Sequence, residues 1–262
     1  MHVLSDLGGP GHAPTRPRGH RLVAAIDVEW TKNYKIKNGN RVFCYSIVWL
    51  SVPERNSNRK PTRVRTGPPF RWTSAYLNTD AERASLIEMA ASDIAAAIDH
   101  ADQVIGHQLC SDFAVLTANA GRRVPAALLN ARRRWHERRN DERMLDTRFD
   151  AGHILCNESR RLVDVCNELK LDVTQPELSR KSMTALHRDW IERGDKEARE
   201  RITVLNLRHS VSSAYVALRA SGHLVWSRKL SVNSALTNAL HGELEWLEHP
   251  TFQALVRSGA RR

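Results

Sequence analysis

The segment "RLVAAIDVEW" at residues 21–30 decides the fold expected for this chain. Its run of apolar residues is typical of a buried β-strand, and "RVFCYSIVWLSV" at 41–52 predicts a second one. The turn-like "KNGN" at 37–40 precedes the second strand, so we expect the two strands to form a hairpin. The first strand ends on two carboxylates, Asp27 and Glu29.

The spacing of these two acids has a chemical meaning. Residues i and i+2 of a strand point to the same face, so Asp27 and Glu29 can both reach one divalent cation at the end of the strand. A D-x-E pair alone is a weak signal, because such pairs occur by chance in most proteins. A metal site therefore requires further ligands from elsewhere in the chain.

Helices and strands alternate after the hairpin. The alanine-rich residues 80–100 predict an amphipathic helix, "QVIGH" at 103–107 predicts a short strand, and 111–121 predict a helix that ends at Gly121. This alternation is typical of an α/β protein. Further helices are predicted at 130–143, 160–171, 201–220 and within 232–257.

Charge and cysteine content limit the classes of partner. The 262 residues carry a formal net charge of +11, which favours a polyanionic partner such as nucleic acid and leaves an anionic membrane surface as the rival. The four cysteines form no CxxC pair, so neither a zinc site nor a disulfide framework is indicated. No apolar stretch approaches the roughly 20 residues of a membrane span, and the start of the chain lacks the apolar core of a signal peptide. We expect a cytoplasmic protein without a membrane partner.

We expect three regions, of which composition identifies the first, while the bounds of the main domain follow from a motif resemblance described below. Residues 1–20 mix Gly, Pro, His and Arg without periodicity and predict a flexible N-terminal arm. Residues 21–220 form the predicted main domain, and 221–262 a helical extension packed on it. Two basic segments, 53–69 and 130–143, are either nucleic-acid contacts or solvated surface.

A second acidic motif follows in "VIGHQLCSDFAVL" at 104–116, where Asp112 falls in the first turn of a predicted helix. Asp112 either joins the two earlier acids or caps its helix. With its I-D-V-E and G-H-Q-L-C-S-D motifs, the chain resembles the DEDD superfamily of 3′–5′ exonucleases, whose members carry D-x-E and later G-H-N-x-x-F-D. "LDT" at 145–147 and His209 in the last long helix extend the resemblance to about residues 21–220 and to the histidine subclass.

The resemblance implies a ribonuclease H-like fold, which is an α/β fold with a mixed central sheet flanked by helices. It also implies phosphodiester hydrolysis of DNA or RNA from a 3′ end with two divalent metals, Mg²⁺ or Mn²⁺. Asp27, Glu29 and Asp112 would be the metal ligands, and His209 would be the general base. Trp30, His107 and Arg208 are the candidate substrate-binding residues on a single-stranded 3′ end, although Trp30 could equally be a core aromatic and His107 could simply support the turn.

One family position departs from the pattern. The family has an aspartate five positions after the histidine, whereas this chain has Ala214 there and Ser213 one position earlier. No Asp or Glu occurs between Glu200 and Glu243, so the missing acid cannot be recovered by local realignment. Asp146, Asp189 and Glu200 are candidate substitutes. The alternatives are a weakened nuclease, a nuclease whose fourth acid comes from elsewhere, or an inactive nucleic-acid binding module.

A third hypothesis sets the resemblance aside and treats the chain as a basic α/β protein that binds a nucleotide or a protein partner. Neither GxxxxGK nor GxGxxG occurs in the sequence, so no glycine-rich phosphate loop supports it.

Overall fold

The hairpin predicted from the sequence forms the centre of the main sheet. A computed structural model describes residues 1–31, 39–54, 60–140, 143–178 and 181–260. Strands β2 (His20–Thr31) and β3 (Arg41–Pro53) pair antiparallel along their whole length, and Ile26 lies opposite Ile47. The predicted hairpin is confirmed, while residues 37–38 of "KNGN" and residues 55–59 of the basic loop lie outside the described residues.

Four further strands complete this sheet. They are β1 (His2–Ser5), β5 (Phe70–Tyr76), β6 (Gln103–Gly106) and β7 (Met144–Asp146). The order is β1-β5-β3-β2-β6-β7, antiparallel from β1 to β2 and parallel from β2 to β7. Two small parallel pairs lie outside it: β4 (Thr62–Arg63) with β9 (Leu224–Val225), and β8 (Leu171–Asp172) with β10 (Leu230–Ser231).

The described helices cover both faces of the sheet, as the α/β prediction requires. They are α1 (Arg83–His100), α2 (Leu109–Asn119), α3 (Ala126–Glu137), α4 (Thr147–Asp150), α5 (Leu162–Glu168), α6 (Met183–Arg193), α7 (Lys196–Ala220), α8 (Val232–Ala239) and α9 (Pro250–Ala260). Short 3₁₀ helices lie at Asp80–Glu82, Gly152–Ile154, Pro176–Leu178 and Glu245–Glu248. The α/β class with a mixed central sheet is confirmed.

Strand β2 separates two apolar cores. Side chains of even-numbered residues such as Ala24 and Ile26 pack with α1, α2 and α3, whereas Val23 and Ala25 pack with α5, α7 and α8. Asp27 and Glu29 share the odd-numbered face, so they point towards α7. The alternation of side chains along β2 thus determines which helix can contact the two acids.

Helix α7 is the longest helix and is almost entirely buried. Asp195 caps its N-terminus by accepting a hydrogen bond from the backbone N–H of Ala198, as a residue of its type should. Residues near its start pack in the first core, and residues from Val204 onwards pack in the second. The apolar run at 201–220 therefore belongs to a buried helix, as predicted.

The predicted flexible arm at 1–20 is wrong for its first residues. Residues His2–Ser5 form the edge strand β1 against β5, because backbone pairing needs no apolar periodicity on an edge strand. Further along, the backbone N–H of Gly11 donates to Asp93 on α1 at 2.6 Å. Two contacts of the main domain therefore fix a segment whose composition resembles a linker.

The C-terminal region also differs from a purely helical extension. Besides α8 and α9 it contributes β9 and β10, which pair with β4 and β8 of the preceding region. Leu236 and Phe252 lie in the same core as α7. Within the described part of the chain, none of the helices combines the length and apolar composition needed to cross a bilayer.

Candidate metal centre

The two acids of β2 meet one face of α7. His209 donates from Nδ1 to Glu29 Oε1 at 3.1 Å, and the same nitrogen lies 3.5 Å from Asp27 Oδ2. Asp27, Glu29 and His209 each offer a ligand atom, and these three atoms lie within 4.8 Å of one another. Two oxygens and one imidazole nitrogen at this spacing are able to share a single metal ion.

Asp112 approaches the same place from α2. Residue Gln108 has a positive φ of 69° and begins the helix, and its backbone N–H donates to Asp146 Oδ1 at 2.8 Å. This turn puts Asp112 in the first turn of α2, where it is 3% exposed. Its Oδ2 is buried and has no hydrogen-bond partner among the residues that the structure describes. A buried carboxylate oxygen without a donor is costly unless a cation or a proton occupies the site.

Gly106 lets β6 lie close enough to β2 for this arrangement. A Cβ added at this residue would overlap the side chain of Leu109 and would lie 3.1 Å from the carbonyl oxygen of Ile26. The close approach of Gly106 to Leu109 and Ile26 therefore favours glycine at this position. Asp112 follows six residues later. The G-H-Q-L-C-S-D motif thus has a packing reason as well as a chemical one.

Burial and mutual repulsion govern the charge of the cluster. Burial, followed by the charge of Asp27, raises the pKa of Glu29. Burial and the charges of Asp27 and Glu29 raise the pKa of Asp112 well above its usual range. Burial alone would lower the pKa of His209, but its contacts with Asp27 and Glu29 outweigh that effect and raise it to about 10. In the absence of a metal ion, a protonated His209 partly neutralises the acids.

A pocket of about 350 Å³ opens onto the cluster. Its wall contains all four predicted catalytic residues together with Trp30 and His107, as follows: Asp27, Glu29, Trp30, His107, Asp112 and His209, with Val28, Asn40 and Gln108 between them. The structure therefore brings six of the seven predicted site residues to one cavity.

His107 lies in the wall of this pocket and is held in place by Thr147. Its Nδ1 lies 3.0 Å from Thr147 Oγ1, and the backbone of Arg160 is a second hydrogen-bonding neighbour of the ring. Burial lowers the pKa of His107 to about 4, so its imidazole is neutral at pH 7. Both the predicted support of the turn and a substrate contact are compatible with this position.

The prediction of Arg208 as a substrate-binding residue is wrong. Its guanidinium is fully buried and forms a bidentate ion pair with Glu177, with Nη–Oε distances of 2.6 and 2.7 Å. Arg208 follows Leu207 and precedes His209, so the helix turns its side chain about 100° away from the pocket. An arginine beside a catalytic residue in sequence need not be its neighbour in space.

Asn206 is a site residue that the sequence reasoning missed. Its side-chain amide donates to Asp27 Oδ2 at 2.6 Å and to the Asp27 carbonyl oxygen at 3.2 Å. It precedes His209 by three residues, and a spacing of i, i+3 places both on the same helix face. Helical spacing from His209 was the signal that could have identified it.

The residue at the position where the resembled family has its fourth acid does not line the pocket. Ala214 is completely buried in the second core and does not line the pocket. Of the substitutes proposed from the sequence, Asp146 caps α4 and accepts from Trp135, while Asp189 pairs with Lys181 and Glu200 accepts from the backbone N–H of Trp246. None of these three lines the described pocket.

In comparisons of the sequence, no protein-family model matches the chain and no curated protein is found as a relative.

Proposed function

We propose that this chain is a metal-dependent phosphodiester hydrolase that acts on nucleic acid, with the 3′–5′ exonuclease reaction as its specific activity. The observation that carries the proposal is the convergence of ligand atoms of Asp27, Glu29 and His209 within 4.8 Å. On the same pocket wall lies Asp112, one of whose buried oxygens has no hydrogen-bond partner in the described part of the chain. The mixed sheet with helices on both faces is the arrangement that the motif resemblance implies.

The donor set fits a divalent cation. Carboxylate oxygens suit Mg²⁺ and Mn²⁺, and an imidazole nitrogen in the set favours Mn²⁺ over Mg²⁺. Asp27, Glu29 and Asp112 would hold the metal, and the partnerless oxygen of Asp112 would gain its missing contact. A divalent metal at such a site activates a water and stabilises charge on the phosphate oxygens during hydrolysis.

The remaining residues orient the ligands. Asn206 fixes one oxygen of Asp27 through its amide, and the Gln175 side-chain amide lies 3.1 Å from Nε2 of His209. Glu29 accepts from Nδ1 of His209, and the Gln175 amide nitrogen can donate to Nε2 only when the ring is neutral. A ring fixed in this way can act as a metal ligand or as a general base, and an experiment can distinguish these two roles.

Nucleic acid is the proposed substrate because of the charge of the whole chain. A net charge of +11 attracts phosphate backbones, and Trp30 at the pocket wall offers an aromatic face for the terminal base. Both DNA and RNA offer a phosphate backbone and a terminal base, so the proposed substrate is a single-stranded 3′ end of either.

The test is degradation of 3′- and 5′-labelled single-stranded DNA and RNA with Mg²⁺ or Mn²⁺. The native chain is compared with Asp27→Asn and with the control Glu192→Gln, which removes an exposed acid on α6. We expect shortening from the 3′ end that requires the metal, is lost in Asp27→Asn and is unchanged in Glu192→Gln. Equal degradation by the native chain and Asp27→Asn would refute the proposal.

His209→Gln separates the two duties of the histidine. If His209 is a ligand, the variant loses the metal-induced rise in melting temperature, whereas a general base leaves that rise intact and affects turnover only. A native chain that binds the oligonucleotide without cleaving it would favour the alternative function, an inactive binding module. The described pocket wall carries three carboxylates, Asp27, Glu29 and Asp112, and no fourth, and this is the observation behind that alternative.

A further inference from the structure

A second pocket of about 390 Å³ is surrounded by positive charge. Its wall consists of Arg63, Val64, Arg65, Ser227, Arg228 and Lys229. All four basic residues are exposed to solvent. None of these residues lines the pocket at the acidic cluster, so this is a separate site.

The backbone fixes these four cations close together. Strand β4 pairs with β9 in parallel, so that Arg63 lies opposite Val225, and the backbone N–H of Val64 donates to the Val225 carbonyl at 3.0 Å. The pairing joins two segments that are distant in sequence, and each brings two basic residues to the pocket. The cluster is therefore held by the fold and is not a run of charge along one stretch of chain.

Few acids compensate this charge. Among the described residues, the side chains of Arg63, Arg65 and Arg228 form no ion pair or hydrogen bond, and Lys229 Nζ lies 3.8 Å from Asp172 Oδ1. Four like charges around one cavity repel one another, and a bound anion removes this repulsion. Guanidinium groups also match phosphate by bidentate hydrogen bonds. The chemistry of the pocket is that of a phosphate site.

One short chain segment contacts both the pocket and the acidic cluster. Asp172, the partner of Lys229, is three residues from Gln175, whose amide touches His209. Three extended residues span at most about 11 Å.

We propose that Arg63, Arg65, Arg228 and Lys229 form a phosphate-binding pocket that holds the backbone of a single-stranded nucleic acid away from its reacting end. The identification of the anion as a nucleic-acid strand rests on the proposed function. The pocket itself rests on the arrangement of the four cations. It supplies affinity without reading sequence, because phosphate contacts are the same for every base.

The experiment measures equilibrium binding of a fluorescein-labelled 20-nucleotide oligo(dT) by fluorescence anisotropy, with EDTA present and over a series of KCl concentrations. The native chain is compared with Arg63→Gln/Arg228→Gln and with the matched control Arg188→Gln/Arg257→Gln, which removes two exposed arginines on α6 and α9. EDTA excludes cleavage, so the result does not depend on the hydrolase reaction. Melting temperatures verify that each variant is folded.

We expect the pocket variant to bind about tenfold more weakly and the slope of log K against log[salt] to fall by about 1.4, since each lost single-strand phosphate contact contributes about 0.7. The control should stay within about threefold of the native chain. Equal losses in both double variants, or no binding by the native chain at low salt, would overturn the proposal.

A parallel measurement with vesicles that contain phosphatidylserine tests the rival partner. If the pocket variant loses vesicle binding but retains oligonucleotide binding, the pocket serves an anionic membrane surface and the nucleic-acid proposal is wrong. If Asp27→Asn retains native oligonucleotide affinity in EDTA while the native chain fails to cleave with either metal, the proposed function fails and the phosphate pocket stands.

Discussion

Removal of Glu177 should destabilise the protein strongly, because this residue neutralises a fully buried arginine. Both oxygens of Glu177 accept from the guanidinium of Arg208, and Oε1 also accepts from Trp246 Nε1 at 3.1 Å. In Glu177→Ala, the only remaining described partner of the guanidinium is Asn233, which accepts from Nε at 2.8 Å. A buried charge stripped of its partner costs about 3–5 kcal/mol, a large share of the roughly 5–15 kcal/mol that stabilises an average protein.

The assays are urea unfolding, which gives the free energy of unfolding, and thermal unfolding, both at pH 7 and both monitored by circular dichroism. For a chain of this length about 4 kcal/mol corresponds to a fall of roughly 10 °C in melting temperature. The double variant Glu177→Leu/Arg208→Met, which removes both charges, should recover most of the loss. Retention of native stability by Glu177→Ala would refute the reasoning. So would a loss of oligonucleotide affinity in Arg208→Met at unchanged stability, because Arg208 would then be a substrate contact after all.

Three further predictions concern the acids and their neighbours. Burial and the neighbouring acids raise the pKa of Asp112, so ionising this carboxyl costs stability. The neutral Asp112→Asn should therefore raise the melting temperature in EDTA and abolish the rise caused by Mn²⁺. An undiminished Mn²⁺ effect would exclude Asp112 as a ligand. Asn206→Asp places a carboxylate against Asp27, so calorimetric titration should show tighter Mn²⁺ binding, whereas Ala214→Asp buries a charge in an apolar core and should cost several kcal/mol without improving binding. Burial raises the pKa of Asp93 from 3.8 to about 6, so the folded protein binds a proton more tightly there than the unfolded chain does. This contribution to stability is present below pH 4 and is lost by about pH 6, and it amounts to roughly 3 kcal/mol. Urea titrations at several pH values should therefore show that the free energy of unfolding declines less over this range in Asp93→Asn than in the native chain.

Sequence patterns predicted the strands and helices that are rich in apolar residues and are buried in the structure. The apolar run at 21–30 identified the central strand, and alternation along it correctly placed Asp27 and Glu29 on one face. The long run at 201–220 identified α7. In these segments one physical requirement, the burial of apolar side chains, determines both the residues and the structure.

Elements held by long-range polar contacts were not predictable in this way. Strand β1 depends on backbone pairing with β5, which leaves no signature in its own residues. The partner of Arg208 is 31 residues away in a polar segment, and only the folded chain brings the two together. The contact of Asn206 with Asp27 likewise spans 179 residues and involves a neutral amide that no metal-site motif contains.

Helix α7 joins the two cores on either side of the sheet, and this has a consequence for folding. Its first turns pack in one core and its later turns in the other, while the face between them carries Asn206 and His209. Local opening on either side would displace the histidine from its acids. Backbone amides at 204–211 should therefore exchange with deuterium only through global unfolding, and a partly folded chain should have no assembled metal centre.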